Sequence, residues 1–92
     1  MSRYLYKAAP RFWKSYRKLN LRQQESARKA WEIFKADPFH PSLRTHKIHH
    51  LSAVYGRTIH AAVVEGDLRA VFYVEGDAVW SVDIGTHEIY GG

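Results

Sequence analysis

A chain of 92 residues with no cysteine and a formal net charge of +5 has room for one hydrophobic core, and a single domain over residues 1–92 is expected. Without cysteine, disulfide scaffolds and thiolate metal sites are excluded, and a reducing cytoplasm is the expected compartment. The N-terminus lacks the apolar stretch of a signal peptide, and no stretch approaches membrane-spanning length, so no membrane partner is expected.

The charge is unevenly placed. Of the fourteen Lys and Arg, only Arg69 follows position 58, where Glu65, Asp67, Glu75, Asp77, Asp83 and Glu88 surround it in sequence. A basic first two-thirds attracts phosphates by counterion release and long-range steering. It serves equally for an acidic partner protein, or as a solvated helical surface.

In chain order, residues 3 to 7 suit a short edge strand, with Tyr4 and Tyr6 two apart. Pro10 fits the first turn of a helix, and Phe12, Trp13, Tyr16 and Leu19 recur at helical spacing. Asn20 can end that helix and cap the next, with Gln23 three residues on completing a capping box. Ala27, Ala30, Trp31 and Phe34 give the second helix one apolar face, and Asp37-Pro38 stops it. Two helices joined this tightly form a hairpin. Residues 39 to 56 read as a loop or irregular helical turn carrying His40, His46, His49 and His50.

The period then changes to two. Thr58 to Val64, Leu68 to Val74 and Ala78 to Ile84 read as strands. Glu65-Gly66-Asp67 and Glu75-Gly76-Asp77 separate them, each with a glycine for the positive φ of a tight reversal. The result is an antiparallel meander covered on one face by the hairpin, an α+β fold of order β-α-α-β-β-β.

Alternation assigns faces. Leu68, Ala70, Phe72 and Val74 belong against the helices, and Arg69, Val71 and Tyr73 on the open side. On the last strand Ala78, Trp80, Val82 and Ile84 form the apolar set. Asp83 then shares Arg69's face, which leaves two readings of Arg69: a cross-strand ion pair or a phosphate ligand. Trp13, Trp31 and Trp80 stand at positions expected for the core, and Tyr73 is the aromatic best placed to meet RNA. His46-x-x-His49-His50 lacks the cysteines and tight spacing of a zinc site, and no metal or other cofactor is expected. His60 is expected to be packed in its strand or at the surface.

The element order and four segments together resemble the RelE/ParE superfamily of bacterial toxins, nearest its RelE/YafQ-like branch. The segments are Phe12-Trp13-Lys14-Ser15-Tyr16-Arg17-Lys18-Leu19, Asp37-Pro38-Phe39-His40-Pro41-Ser42-Leu43 with His46-Lys47-Ile48, Leu68-Arg69-Ala70-Val71-Phe72-Tyr73, and Ile84-Gly85-Thr86-His87-Glu88-Ile89-Tyr90. The resemblance implies a toxin of a toxin–antitoxin module, a metal-independent endoribonuclease that cuts mRNA, often on the ribosome, and so inhibits translation. It implies a cognate antitoxin as partner, with operator DNA reached only through that antitoxin. By position, Arg69 would stabilise phosphate charge, His87 would act as general acid or base, Tyr90 would orient the scissile phosphate or stack on a base, and Asp67 matches an acidic residue before the middle strand. Lys47, His46, Tyr73 and Arg57 are the expected RNA contacts. The branch carries a histidine four residues before the acidic position, where this chain has Val63, and the aromatic after His87 comes one residue sooner than in some relatives. The alternative class is a non-catalytic binder, either a gyrase-directed ParE-like toxin or a degenerate member that only binds its antitoxin.

Overall fold

The computed structural model describes residues 4–86. The elements run β1 (Leu5–Ala8), α1 (Pro10–Lys18), α2 (Leu21–Phe34), a 3-10 turn (Pro41–Leu43), β2 (His46–Lys47), α3 (His49–Tyr55), β3 (His60–Glu65), β4 (Leu68–Glu75) and β5 (Ala78–Gly85). Local chemistry sets the hairpin's boundaries. Pro10 opens α1, where its missing N–H costs nothing. The Asn20 side chain accepts the Gln23 N–H at 2.8 Å, and the Gln23 side chain accepts the Asn20 N–H at 3.1 Å. That reciprocal box satisfies two donors at the start of α2. Gly66 and Gly76 adopt φ of +50° and +61° at the two reversals, the role expected of them.

The five strands lie in the order β1-β5-β4-β3-β2. The β2-β3, β3-β4 and β4-β5 pairs are antiparallel, as the meander predicts, while β1 joins the β5 edge in parallel. The fold is therefore α+β with a mixed sheet. The sheet is covered on both faces. On the hairpin face, Phe34 of α2 packs with Leu43, Ala62, Phe72 and Val79. On the other face, Leu51 of α3 packs with Ile59, Ala61, Val71 and Val82. Residues 49 to 55 are thus a regular helix, where a loop or an irregular helical turn was expected. Gly56 closes it with φ of +68°, and the Ser52 hydroxyl donates to the Ile48 carbonyl while accepting the Ile59 N–H, tying the helix to β3.

Two further expectations are corrected. Ala78, Trp80, Val82 and Ile84 do not share a face. A bulge shifts the β4-β5 register between Val71 and Phe72, so Val71 pairs with Asp83 and Phe72 with Ser81, leaving Val82 as the extra residue. Val79 lies on the hairpin face and Ile84 lines a cavity there, whereas Val82 packs beneath α3. Trp13 and Trp31 are not core residues either: they are 48% and 40% exposed. They border an apolar cavity of about 500 Å³ between the hairpin and the sheet, lined also by Tyr16, Ala27, Phe34 and Ile84. α1 contributes no fully buried side chain.

Candidate active site

Arg69 stands near the start of β4, on the α3 face. Its in-register neighbours are Val63 on β3 and Gly85 on β5, neither of them acidic. Its Nη1 turns back over the preceding reversal, donating to the Gly66 carbonyl at 2.6 Å and the Leu68 carbonyl at 3.3 Å. Those two bonds set the guanidinium over the turn that carries Asp67, which is exposed two positions away. Arg69 also lies between two bulges. On β3, Val63 pairs with Arg69 and Glu65 with Leu68, so Val64 is extra; on β5 the extra residue is Val82. Bulges recur beside functional sites because they re-aim the side chains around them.

The ion pair of Arg69 with Asp83 does not form. Asp83 is 4% exposed, and its carboxylate is engaged elsewhere. Oδ1 accepts the Ser15 hydroxyl at 2.5 Å and the Ile84 N–H at 2.9 Å, and Oδ2 meets Arg11 Nε at 3.2 Å. The cause is β1. It leaves the β5 edge at Ala8, opposite Ser81, and α1 packs along the stretch of β5 left without a strand, bringing Ser15 and Arg11 to Asp83.

The expected RNA contacts divide. His46 pairs with Ala61, which pairs with Val71, so it shares Arg69's face. Its Nδ1 lies 2.9 Å from the Arg44 carbonyl. Lys47 pairs with His60, and His60 with Phe72, which places it on the hairpin face. Tyr73 shares Arg69's face but stands four residues along β4, roughly 13 Å away at the usual strand rise. There it belongs to a row across the sheet. The Arg57 guanidinium carbon sits 4.3 Å from the Tyr73 ring centroid, Tyr73 stacks on Trp80 at 6.4 Å, and Lys7 Nζ lies 5.5 Å from the Trp80 ring. Arg57 also pairs with Glu75 at 2.9 Å. His87 and Tyr90 lie outside the described residues.

Two features escaped the sequence: the Asp83 cluster and the Lys7–Trp80 contact. Both follow from the parallel pairing of β1 with β5, a contact between residues more than 70 positions apart for which no local signal exists. Among the described residues no three His, Asp or Glu side chains assemble as a metal-ligand set. His60, half-buried and stacked at 5.3 Å on Phe72 with Phe39 edge-on at 5.2 Å, has its pKa lowered from the ordinary 6.5, first by burial and then by the nearby Lys47 charge.

No protein-family sequence model matches the chain, and no curated protein matches it by sequence. Its structure does have relatives. It superposes on a chain of the toxin–antitoxin complex of DinJ and YafQ from E. coli with a TM-score of 0.75 and 13% identity, covering 98% of this chain and 99% of that one. The fold is that of the RelE-like toxins. The archaeal RelE–RelB complex from Pyrococcus horikoshii gives a TM-score of 0.68 at 13% identity over 91% and 94% of the two chains. The YoeB dimer from Staphylococcus aureus gives 0.66 at 14% identity over 94% and 99%. The RelE-like resemblance of the sequence motifs is thus matched by the RelE-like fold over nearly the full chain. No described helix is long and apolar enough to cross a membrane.

Proposed function

We propose that this chain is the toxin of a toxin–antitoxin module and an mRNA endoribonuclease acting in the cytoplasm, its target being mRNA on the ribosome. The observation that carries the reading is Arg69: a guanidinium on the central strand of a RelE-like fold, flanked by two bulges, with no acidic residue beside it in register. In the reaction, a base takes the proton of a ribose 2′-hydroxyl and its oxygen attacks the adjacent phosphorus. The bond to the 5′-oxygen then breaks, and that oxygen is protonated by an acid. Negative charge gathers on the non-bridging oxygens, where a guanidinium binds in bidentate fashion. Arg69 fills that role. His87 and Asp67 are the candidate proton carriers, since an imidazole titrates near neutral pH, and Tyr90 is the candidate for orienting the phosphate. His46 and Tyr73 share the face of Arg69 and are the nearer RNA contacts. Lys47 and Arg57 lie further from it in function, one on the opposite face and one already paired.

The same reading requires an inhibitor. The cavity under the hairpin is apolar, bordered by partly exposed Trp13 and Trp31, and its surroundings are cationic: Arg28 lines it, and α1, which lends it Phe12, Trp13 and Tyr16, carries Arg11, Lys14, Arg17 and Lys18 with no acidic residue. A second copy of this chain would bring like charge to those surroundings. An acidic amphipathic segment of an antitoxin would bring the opposite charge and apolar anchors, and it is the occupant we assign.

The test is inducible expression of the chain with mapping of mRNA 5′ ends. New cuts are expected, reduced about 10²- to 10³-fold in Arg69→Ala and not restored by Arg69→Lys, which lacks the bidentate fork. A second reading, a binder without nuclease activity, is favoured by one observation: Nη1 of Arg69 is spent on backbone carbonyls. Growth arrest with intact mRNA and stalled gyrase would establish it instead.

A further inference from the structure

The β5 bulge decides what stands beside Arg69. In a regular strand Ile84 would share a face with Trp80 and Val82. With Val82 as an extra residue, Ile84 turns to the hairpin side, and Gly85 comes opposite Arg69. A one-residue change of register moves every later side chain to the other face, so this bulge decides which residue of β5 stands opposite Arg69.

The bulge needs something to hold it. The Ala9 N–H still donates to the Ser81 carbonyl at 2.8 Å, but past Ser81 no strand among the described residues pairs with that edge of β5. The buried Asp83 side chain, 6% exposed, takes the place of a strand there. It accepts the N–H of Ile84, the residue after it, and is itself gripped by Ser15 and Arg11 from α1. We propose that Asp83, clamped by Ser15 and Arg11, is a positioning residue: it fixes the β5 bulge and thereby the pairing of Gly85 with Arg69 on which cleavage depends. The proposal rests on the ribonuclease reading of Arg69 for its catalytic half only. Its structural half stands on the bulge.

The experiment compares wild type, Ser15→Ala, Ser15→Thr and Asp83→Asn in the full chain. Three quantities are read on the folded protein: the Nε–Hε NMR signal of Arg69, hydrogen exchange of the Ile84 and Gly85 amides, and steady-state cleavage of a short mRNA, free and on programmed ribosomes, resolved into kcat and KM. Loss of the clamp is expected to shift the Arg69 signal and to speed exchange at Ile84 at least tenfold. It is also expected to lower kcat about 10- to 100-fold with KM within about twofold, since small misplacements of a reacting group cost rate and not binding. Ser15→Thr keeps the hydroxyl and is expected to behave as wild type. A role in stability alone would lower the folded fraction and leave the Arg69 signal and the kcat of folded molecules unchanged, and that result overturns the proposal. If Asp83→Asn does not fold, the Ser15 pair decides. If wild type cuts no RNA, the ribonuclease reading has failed by itself, and the Arg69 signal with the Ile84 and Gly85 exchange still judges the clamp: changed in Ser15→Ala it stands, unchanged it falls.

Discussion

Asp83→Ala is expected to be the most destabilising single truncation outside the apolar core. Three contacts end with the carboxylate. The Ser15 hydroxyl loses a charged acceptor, a loss of about 1.5–3 kcal/mol for a charge-assisted bond. The N–H of Ile84, a residue 3% exposed, loses a partner that water cannot readily replace, about 1–3 kcal/mol. The Arg11 side chain is 68% exposed, so solvent screens its pairing and its share is about 0–1 kcal/mol. These contributions overlap, and the total of about 3–5 kcal/mol equals the usual cost of stripping one partner from a buried ionic cluster. For a domain of this size that lowers the melting temperature by at least about 12 °C. Urea titration followed by far-ultraviolet circular dichroism measures it, with an unchanged denaturant slope showing that the unfolded state is not the cause. Ser15→Ala is expected to cost about 1–2 kcal/mol and to couple to Asp83→Ala by at least about 1 kcal/mol in a double-mutant cycle, while Arg11→Ala stays below about 1 kcal/mol. The reasoning fails if Asp83→Ala lies within about 1 kcal/mol of wild type, or if Arg11→Ala costs as much as Asp83→Ala.

His60 makes stability depend on pH. Its folded pKa lies below the ordinary 6.5, so between the two values the unfolded chain binds more protons. Stability is then complete above about pH 6.5 and declines as pH falls below it through the folded value. His60→Phe, which keeps the ring between Phe39 and Phe72, is expected to flatten that part of a plot of urea midpoint against pH; an unchanged slope counts against it. Trp13→Ala and Trp31→Ala are expected to cost less than the 3–5 kcal/mol typical of buried tryptophans, because both residues are only partly covered, at 48% and 40% exposed. Each should weaken antitoxin binding at least tenfold by titration calorimetry; equal affinity would show that the cavity is not the docking site. Gly76→Ala should lower stability by about 1–2 kcal/mol at its φ of +61°, although nothing would touch the added methyl group. A neutral result would mean that the reversal relaxes to negative φ.

What the sequence made legible was whatever a few neighbouring residues decide. Pro10, the Asn20–Gln23 box and the two Glu-Gly-Asp reversals are complete instructions within four residues, and the structure carries them out at the expected places. α3 was not legible for the same reason turned around. It is seven residues long, has no side-chain cap at its start, and owes its place to Leu51 meeting Ile59, Ala61, Val71 and Val82 from other elements. The alternation on β4 was read correctly because β4 itself carries no extra residue, and that on β5 incorrectly because nothing in Val79-Trp80-Ser81-Val82-Asp83 marks a bulge. A bulge is a property of the pair of strands, here held by a helix almost 70 residues earlier. Trp13 and Trp31 follow core periodicity, but the cavity they face lacks side chains to fill it. Periodicity reports the direction of a side chain and not what lies in front of it.

The row of Lys7, Trp80, Tyr73 and Arg57 sets a limit on how RNA can use this face. Two cations flank two stacked rings, so each aromatic face that a neighbour covers is withheld from a base. Arg57 lies over Tyr73 at 4.3 Å and also holds Glu75 at 2.9 Å. A phosphate can recruit this guanidinium only by displacing both. The ion pair is exposed and weak, about 0–1 kcal/mol, and the ring contact is worth about 0.5–1 kcal/mol, so the displacement roughly offsets one surface phosphate contact. Arg57→Ala is therefore expected to leave the salt dependence of RNA binding unchanged, while Arg69→Ala lowers its logarithmic slope by about 0.7, the share of one phosphate on a single strand. Tyr73→Ala leaves Arg57 only its exposed pair with Glu75, which a phosphate displaces at little cost, and Tyr73→Ala with Arg57→Ala should then differ from Tyr73→Ala alone by a slope of that same size. Equal slopes for wild type and Arg57→Ala, and unequal slopes once Tyr73 is removed, are the signature of a cation held in reserve by its own aromatic neighbour. A fall of about 0.7 on Arg57→Ala in the otherwise native chain would show instead that Arg57 already grips phosphate, and that the row opens toward RNA.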